Sequence, residues 1–518
     1  MQESTMRRVM LATGLALTMA CGGASPAAHR ISGTVSGLAG TSIAVSLSGP
    51  RTATTTTDSN GGYSFSGLAS GDYTVAPADV ARTFSPASLA VTVGWADVPG
   101  QDFKARGMLS VSVTGSGLVT SVPAGINCGS TCAAVYDAGT TVTLSATAAT
   151  RSVFSGWSGA GCSGTGTCTL TLATATAVTA FFDRWNAVFV TSTTYQPGAL
   201  GGLAGADDAC QARAAAAGLP GTYRAWLSTS GAGAVDAIAR LGSARGWVRP
   251  DGKPFVDTTT DLAGGRIMYP PRLDESGNDL GQVFALTATT ADGTLHPLTT
   301  TCSDYTDTNA SGIFVGGWAS AGSGMFTVFD FRSCSAWGHL YCFGVDQSRA
   351  LGPTPVAGRR AFITNAFFTT GGGLGAADAL CASEASAASL PGTFLAALAT
   401  TTASASSRFD TTGAPWVRAD GLALTPTAAA LFSTPYMDVA FNVNADGTAW
   451  FGNYGVWGGA SSWSSVGTAA STCDDYTSTV GSSAVGGRVG DTKATTLFGF
   501  DTMDPCNATW MKLLCMQN

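Results

Sequence analysis

Two groups of four cysteines with nearly equal spacing constrain the fold of this chain more than any other feature. The groups are, in chain order, Cys210, Cys302, Cys334 and Cys342, and then Cys381, Cys473, Cys506 and Cys515. The first step is 92 residues in both groups, and the later steps are 32 and 8 residues in one and 33 and 9 in the other. The flanking sequence repeats as well, since Cys302-Ser303-Asp304-Tyr305-Thr306 returns as Cys473-Asp474-Asp475-Tyr476-Thr477. The C-terminal part of the chain therefore contains one disulfide-bonded module twice.

Length and composition bound what the rest of the chain contains. A chain of 518 residues is too long for one hydrophobic core and implies roughly three to five domains. Only 11% of the residues are charged, and the lysines are Lys104, Lys253, Lys493 and Lys512. A nucleic-acid-binding protein needs a basic stripe for phosphates, so we expect no nucleic-acid partner. The net charge of −7 is mild for this length and indicates no particular ligand.

The N-terminal residues have the pattern of an export signal. Arg7-Arg8 is followed by an uncharged, mostly apolar stretch from Val9 to Ala20, which is too short for a membrane span. Cys21 comes directly after it and is followed by a flexible run. This arrangement resembles a bacterial lipoprotein signal, although Thr18 stands where such signals usually carry Leu. The resemblance implies a signal at 1–21, a lipid-modified Cys21, and a tether at 22–29.

The cysteine count favours the same interpretation. The chain has 13 cysteines, an odd number for an exported protein. Without Cys21, the remaining 12 form three local groups of four, and a lipid-bearing cysteine needs no disulfide partner. The alternative is ordinary signal cleavage at about residues 25 to 28, which would remove Cys21.

Residues 30–105 have the pattern of a small β domain. Short alternating or β-branched runs are separated by Gly, Ser and Asp turns, and Asn60-Gly61 predicts a tight hairpin turn. Followed by Gly71-Asp72-Tyr73-Thr74-Val75, the stretch resembles a carboxypeptidase-regulatory-like β-sandwich, a type that commonly serves as a spacer. Asp58 with Asn60 also suggests a calcium loop, but a structural turn is favoured because no further acids lie close by.

Residues 107–183 predict a second β module with two close cysteine pairs. Phe154-Ser155-Gly156-Trp157-Ser158-Gly159 and then Val178-Thr179-Ala180-Phe181-Phe182 resemble the divergent internalin-type B-repeat of bacterial surface proteins. Four cysteines also suggest zinc. Export favours oxidation, so we expect the local disulfides Cys128–Cys132 and Cys162–Cys168 instead.

The two large modules span 185–345 and 360–518, with a Pro/Gly-rich linker at 346–359. Each begins with a β run, continues with a helix that carries its first cysteine, and ends with a strand that carries its last. In the first copy the helix is predicted from about Gly205 to Ala217. Asp207 falls in its first turn, where the helix dipole favours acids, and Asp378 is the equivalent residue in the second copy.

A cysteine on the first helix, a cysteine in the last strand and a second cysteine pair between them resemble the C-type-lectin-like fold. More narrowly, Gly202-Leu203-Ala204-Gly205-Ala206-Asp207 and Tyr223-Arg224-Ala225-Trp226-Leu227-Ser228 resemble a bacterial family of endostatin-related, lectin-like domains without assigned function. The second copy matches less well, with Ala397 in place of Trp226. The resemblance implies the disulfides Cys210–Cys342, Cys302–Cys334, Cys381–Cys515 and Cys473–Cys506.

The calcium-dependent sugar site of true C-type lectins is not implied. That site needs a Glu-Pro-Asn or Gln-Pro-Asp loop and a Trp-Asn-Asp strand, and the chain contains none of these tripeptides. Asp304 and Asp475 follow the inner cysteine in each copy, but one acid does not make a calcium site. We expect each to accept hydrogen bonds from nearby backbone. We predict no metal and no cofactor.

Catalysis is weakly supported by the sequence. The three histidines, His29, His296 and His339, do not recur between the modules, and no standard catalytic motif is present. We therefore expect a protein that is not an enzyme and has no catalytic residues. A carboxylate pair among the loop acids remains an alternative, because a sequence does not show geometry.

Aromatic residues supply the candidate ligand contacts. Tyr454, Trp457 and Trp463 lie in a Gly/Ser-rich stretch of the second large module and are candidates for stacking on a sugar or docking a protein. The alternative is that they form core, which we favour. Trp337 and Trp510 each stand five residues before the last cysteine of their module, and we expect them to pack on the disulfides.

Together these patterns predict a multidomain chain, with all-β N-terminal modules followed by two α+β C-type-lectin-like domains. We expect a lipoprotein of the cell envelope, anchored in the outer membrane and exposed at the cell surface, that recognises a glycan or a protein. The alternatives are a structural envelope protein without a specific ligand and, less favoured, an envelope-polymer hydrolase.

The lipid anchor can be tested directly. We expect mass spectrometry of the chain expressed in a bacterial host to show a mature N-terminus at a lipid-modified Cys21. Cys21→Ser should move the chain from the membrane fraction to the soluble fraction, because lipidation would be lost. An unmodified N-terminus downstream of Cys21 would contradict the prediction.

Overall fold

The structure is a computed structural model, and it describes residues 28–38, 40–129, 131–231, 233–309, 311–352, 355–450, 455–481, 484–488, 491–499 and 503–518. Cys21 and Tyr454 lie outside the described residues. One compact unit comprises the described residues up to Ala148 together with Phe154–Phe182. The other comprises Ala149–Val153 and Asp183–Asn518. The fold is mostly β, with few helices.

The first unit consists of short strands in which buried and exposed residues alternate. In β5, for example, Tyr73, Val75 and Pro77 are buried while Asp72 and Thr74 are exposed, as expected for a sheet with one solvated face. The strands are β1 His29–Ser36, β2 Ala44–Ser48, β3 Ala53–Thr56, β4 Gly62–Leu68, β5 Gly71–Ala78, β6 Thr83–Ser85, β7 Leu89–Val93, β8 Phe103–Thr114, β9 Gly117–Val122, β10 Asn127–Cys128, β11 Thr131–Asp137, β12 Thr141–Ala148, β13 Ser152–Ser158, β14 Cys168–Thr171 and β15 Thr176–Arg184.

The long strand β8 joins the two β modules of this unit. Its first residues pair with β1 and β6, and the rest pairs with β11 and β15. The sheet that contains it has the order β13-β15-β8-β1-β4. Two four-stranded sheets, β3-β2-β5-β7 and β10-β9-β12-β14, complete the two modules.

The first unit contains the Asp58 turn and the two local cysteine pairs that were predicted from the sequence. The Asp58 carboxylate accepts hydrogen bonds from the backbone N–H groups of Asn60 and Gly62, so it caps the turn. Gly61 has φ +82°, a backbone conformation that would be strained for a residue with a side chain. Disulfides join Cys128 to Cys132 and Cys162 to Cys168, so these cysteines are not free to bind zinc.

The first large module has a central sheet with the order β19-β18-β16-β23-β20-β21-β22, and β17 also pairs with β23. Its strands are β16 Asn186–Val190, β17 Tyr223–Ala225, β18 Trp247–Val248, β19 Pro254–Val256, β20 Phe284–Leu286, β21 Phe314–Trp318, β22 Asp330–Arg332 and β23 His339–Gly344. Its helices are Gly202–Ala216 and Thr259–Ala263, with 3-10 turns at Pro197–Ala199, Ala239–Leu241 and Ser323–Phe326.

The second large module repeats this plan with shorter strands, in sheets of order β25-β30-β24-β26 and β27-β28-β29. Its strands are β24 Arg359–Ile363, β25 Phe394–Ala396, β26 Trp416–Arg418, β27 Gly455–Trp457, β28 Ala484–Arg488, β29 Met503–Asp504 and β30 Leu514–Gln517. Its helices are Gly373–Ala387, Ala428–Leu431 and Ala494–Gly499, with a 3-10 turn at Ser406–Arg408.

The first and last strands of each large module pair antiparallel and are buried on both faces. Phe189 lies opposite Cys342, and Phe362 lies opposite Cys515. In the first module, Phe189 packs toward the core that contains the long helix, while Val188 packs toward the core around Trp247. Burial on both faces explains why these strands read as continuous apolar runs.

Disulfides tie the long helix and the inner loop of each large module to this frame. The pairs are Cys210–Cys342, Cys302–Cys334, Cys381–Cys515 and Cys473–Cys506. They coincide with the pairs expected from the sequence. The outer pairs close loops of 132 and 134 residues. In the chain-entropy model, each such loop contributes roughly 4 to 5 kcal/mol.

The role expected for Asp207 was wrong. The helix begins at Gly202, so Asp207 lies beyond its first turn. Asp207 is buried and accepts two hydrogen bonds from Arg240 Nη2, at 2.6 and 2.7 Å, and one from the backbone N–H of Ala225. In the second module, Asp378 is bonded in the same way to Arg408 and to Ala396 N. The acid therefore connects the helix to a strand and a turn.

This buried pair yields a stability prediction. Asp207→Ala leaves the Arg240 guanidinium buried without its carboxylate, and we expect a loss of about 3 to 5 kcal/mol in the free energy of unfolding. Chemical denaturation of the full chain measures it. The neighbouring Asp208 is exposed, so Asp208→Ala should change stability by no more than about 0.5 kcal/mol. Equal losses for both variants would contradict the prediction.

Candidate functional site

The aromatic residues predicted to contact ligand lie in the core instead. Trp457 is fully buried, and its Nε1 donates to the carbonyl of Phe368 at 2.9 Å. Trp463 is 3% exposed and packs edge-on against Phe432. Neither indole has a face free for stacking, so the ligand-binding hypothesis is wrong for both and the core alternative is confirmed. Tyr454, the third candidate, is outside the described residues.

The two tryptophans expected in the core are at the surface. Trp337 is 63% exposed and Trp510 is 45% exposed. Each lies five residues before the last cysteine of its module, so the two indoles occupy equivalent positions. The expectation of packing on the disulfide was therefore wrong in both copies.

For Trp337, alternation along the chain explains the exposure. The residues that follow the two tryptophans, Gly338 and Met511, are buried. A Cβ at Gly338 would meet Leu286 Cδ2 at 2.7 Å, so the chain is in close contact with the core there. Gly338 forms a β-bridge with Tyr195, and neighbouring residues of an extended chain point to opposite sides, which turns the Trp337 indole outward. The Trp510 indole Nε1 also donates to Asp504 Oδ1 at 3.3 Å.

Asp304 and Asp475 are backbone acceptors, as predicted. Asp304 accepts from the N–H groups of Ser230 and Gly231 at 2.8 and 2.9 Å. Asp475 accepts from Thr401 N at 2.8 Å. Burial by itself would raise the pKa of Asp304, but hydrogen bonds led by that from Ser230 hold the pKa below its usual value.

Both acids lie in a left-handed turn that the sequence did not reveal. Thr301 to Tyr305 have φ between 48° and 71°, and Cys473 to Tyr476 have φ between 51° and 65°. Non-glycine residues in this conformation cost about 1–2 kcal/mol each. The inner disulfide and the Asp hydrogen bonds hold the turn in both modules.

A carboxylate supports the backbone after the first strand in both modules, but it comes from different elements. In the first module, Glu275 accepts from Ser192 N at 2.8 Å. The equivalent loop residue in the second module is Ala445. There Glu384, on the long helix, accepts from the N–H groups of Asn365 and Ala366 at 2.7 and 2.8 Å.

The exchange leaves space in the second module. Glu275 is 5% exposed and occupies its position with a full side chain, whereas Ala445 has only a methyl group there. A pocket of about 420 Å³ is found at this place, and its lining is Asn365, Ala366, Glu384, Ala387, Ala388, Asn444, Ala445 and Asp446.

Lys512 is a buried cation behind this pocket that sequence analysis missed. Its Nζ donates to the carbonyls of Thr364 and Asn365 at 2.7 and 2.5 Å. It lies 3.8 Å from the ring centroid of Trp450. His339 is the equivalent residue in the first module, and its Nδ1 lies 2.6 Å from the carbonyl of Thr191. The sequence contained one indication of this buried cation, namely a lysine directly before the apolar run of the last strand.

The two large modules meet through polar contacts within one compact unit. Asp491 of the second module is fully buried, and it accepts from Ser320 Oγ and Gln282 Nε2 of the first module, both at 2.7 Å. Arg272 donates to the carbonyl of Met437 at 2.6 Å. Burial raises the pKa of Asp491.

Within the described ranges, no group of three or more His, Cys, Asp or Glu side chains is arranged to hold a metal ion. No helix in that part of the chain is both long enough and apolar enough to cross a membrane.

One segment of the chain resembles a known family. Residues 109–186 match the model of the Divergent InlB B-repeat domain. This match confirms the B-repeat resemblance expected for residues 107–183. No curated protein sequence matches the chain.

Solved structures show partial similarity. The Bacillus anthracis TIE protein is 9% identical with a TM-score of 0.18, over 32% of this chain and 35% of that one. The minor pilin of Streptococcus agalactiae is 10% identical with a TM-score of 0.14, over 30% and 96%. A streptococcal ancillary pilin is 12% identical with a TM-score of 0.14, over 30% and 62%. The chain thus spans about a third of the first of these proteins, and scores this low carry no functional argument.

Lys512 makes the stability of the chain depend on pH. Burial lowers the pKa of Lys512 to about 8, against 10.5 for an ordinary lysine. Between these values the unfolded chain binds more protons than the folded one, so stability should rise with pH. Buried tyrosines such as Tyr476, whose pKa is raised by burial, oppose this only above about pH 10.

We expect the denaturation midpoint of the full chain to rise between about pH 8 and pH 9.5, and Lys512→Met to flatten that rise. Lys104→Met, which removes a lysine with a 66% exposed side chain, is the control. A slope that persists in Lys512→Met would contradict the assignment.

Proposed function

We propose that the chain is an exported, non-enzymatic recognition protein of the bacterial cell envelope. Its two large modules would adopt a C-type-lectin-like fold and bind a glycan or a protein at the cell surface. Lipid on Cys21 would anchor it in the outer membrane, and the two N-terminal β modules would act as spacers.

Several observations support the lectin-like proposal. The first and last strands of each module pair, the long helix is disulfide-bonded to the last strand, and an inner disulfide closes a loop. Long irregular segments lie between these elements, as in that fold. The B-repeat at 109–186 and the low charge support a surface protein, and the sequence carries no standard catalytic motif.

The pair of exposed tryptophans is the observation that carries the binding function. A large exposed indole is costly in water, and Trp is the residue most enriched at the centres of binding sites. One exposed indole stands at the same position of each copy, on a rigid frame beside the last strand. Two such sites in one compact unit would allow bivalent binding, which raises apparent affinity without new contacts.

Glycan and protein arrays probed with the full chain, with and without calcium, test this function. We expect saturable binding that does not need calcium. Trp337→Ala and Trp510→Ala should each weaken binding by about tenfold or more, since hot-spot truncation costs at least about 2 kcal/mol. Folding should be preserved, because both side chains are exposed.

Trp95, which is 94% exposed in the first unit, provides the control. Trp95→Ala removes an exposed indole without touching the large modules and should leave binding unchanged. Absence of binding to every array member would favour a structural envelope protein. Turnover of an envelope polymer by the full chain would favour the hydrolase alternative.

A further inference from the structure

The side-chain amide of Gln282, in the first large module, is held at both ends by side chains of the second. Its Oε1 accepts a hydrogen bond from Lys493 Nζ at 2.8 Å. Its Nε2 donates to Asp491 Oδ2 at 2.7 Å. The backbone N–H of Gln282 donates to the hydroxyl of Tyr436 at 3.0 Å, which fixes the main chain as well. An amine, a carboxamide and a carboxyl group are therefore in contact across the boundary between the modules.

The segment that carries the amine and the carboxyl group is itself anchored to the first module. Asp491 is fully buried, and its Oδ1 accepts from Ser320 Oγ at 2.7 Å and from the backbone N–H of Lys493 at 3.1 Å. Thr492 Oγ1 donates to the carbonyl of Ser320 at 2.7 Å. Groups held in contact in this way react as if at an effective concentration of about 10⁵ M or more.

Lys493 differs from the other three lysines in the kind of group that it contacts. Lys104 and Lys253 each contact an aspartate carboxylate, and Lys512 donates to backbone carbonyls. A carboxylate is a poor electrophile because its negative charge repels the electron pair of a nucleophile. The side-chain carboxamide that Lys493 contacts is uncharged, and its nitrogen can leave as ammonia once it is protonated.

We propose that Lys493 and Gln282 react to form an isopeptide bond that joins the two large modules covalently. The Nζ electron pair attacks Gln282 Cδ, which lies one C=O bond, about 1.2 Å, beyond the hydrogen-bonded oxygen. The new Nζ–Cδ bond forms and the Cδ–Nε2 bond breaks. A primary amine and a primary carboxamide thus become one secondary amide and one molecule of ammonia, and the reaction needs no co-reactant.

Two proton transfers accompany this exchange. The Lys493 ammonium first gives one proton to solvent, which is possible because the side chain is partly exposed. Asp491 then gives a proton to Nε2, with which it is in contact, and takes up the proton that the attacking nitrogen loses on becoming an amide. Burial raises the pKa of Asp491, which favours the protonated carboxyl group that this transfer needs.

The bond would join parts of the chain that no disulfide joins. Gln282 and Lys493 are 211 residues apart. Each disulfide of the two large modules connects cysteines of one module. The proposal goes beyond the recognition function and does not use Trp337 or Trp510, so either can fail while the other stands.

Peptide mass spectrometry of the full chain tests the proposal. The chain is fully reduced and alkylated, so that no disulfide survives, and is then digested with trypsin. We expect the peptides that contain Gln282 and Lys493 to remain joined, with a mass about 17 Da below their sum because one ammonia is lost. Trypsin should also fail to cleave after Lys493, since an amide replaces its charged amine.

Two variants assign the roles of the residues. Lys493→Arg keeps the positive charge at a partly exposed position but has no amine, so it should abolish the link. Asp491→Asn removes the group that transfers protons, and link formation should slow by about a hundredfold or more. Lys253→Arg is the matched control, because Lys253 also contacts the other module, through Asp438, and the link should form as before.

Three results would overturn the proposal. The first is complete separation of the two peptides in the unaltered chain, which would leave Lys493 and Gln282 as a hydrogen-bonded pair. The second is a link from Lys493 to a residue other than Gln282. The third is a link that forms at an unchanged rate in folded Asp491→Asn, which would remove Asp491 from the reaction. Lys493→Arg tests the bond whether or not Asp491→Asn folds.

Discussion

The antiparallel pairing of the first and last strands of each large module is the constraint on which the rest of that module depends. Cys342 and Cys515 lie at the centre of this pairing, and each is bonded to the long helix. The strands between these two are short, with two to five residues each in the first module. Closing more than 130 residues with one covalent bond lowers the entropy of the unfolded chain, which favours a module of this kind.

The inner disulfide and its neighbouring acid serve a more local purpose. They hold a turn with consecutive positive φ values, whose cost of about 1–2 kcal/mol per residue exceeds what one hydrogen bond returns. Asp304 compensates by accepting two backbone N–H groups from a distant loop, and Tyr305 OH donates to the carbonyl of Ser228. The same Cys-x-Asp-Tyr residues recur in the second module because each of them stabilises the turn.

Sequence patterns were sufficient for features that depend on local chemistry or on covalent bonds. They predicted the terminal strands and the acceptor role of Asp304, and the resemblance to the C-type-lectin-like fold implied the cysteine pairs of the large modules. They failed where the function of a residue depends on which way its side chain points in the folded protein. Trp337 stands near a cysteine in sequence, but chain alternation at Gly338 turns it outward, and Trp457 looked like a platform in its Gly/Ser-rich surroundings but packs inward. The role of Asp207 depends on Arg240, a partner 33 residues away that no local pattern indicates.

The exchange between Glu275 and Glu384 shows why two copies of one module need not share a ligand. Both modules must satisfy the same backbone N–H groups after the first strand, and a carboxylate from either the loop or the helix does so. Once the helix supplies it, the loop position is free to become Ala445 and the space opens without loss of the backbone support. The frame is thus kept by disulfides and strand pairing, while the residues that line this space can differ.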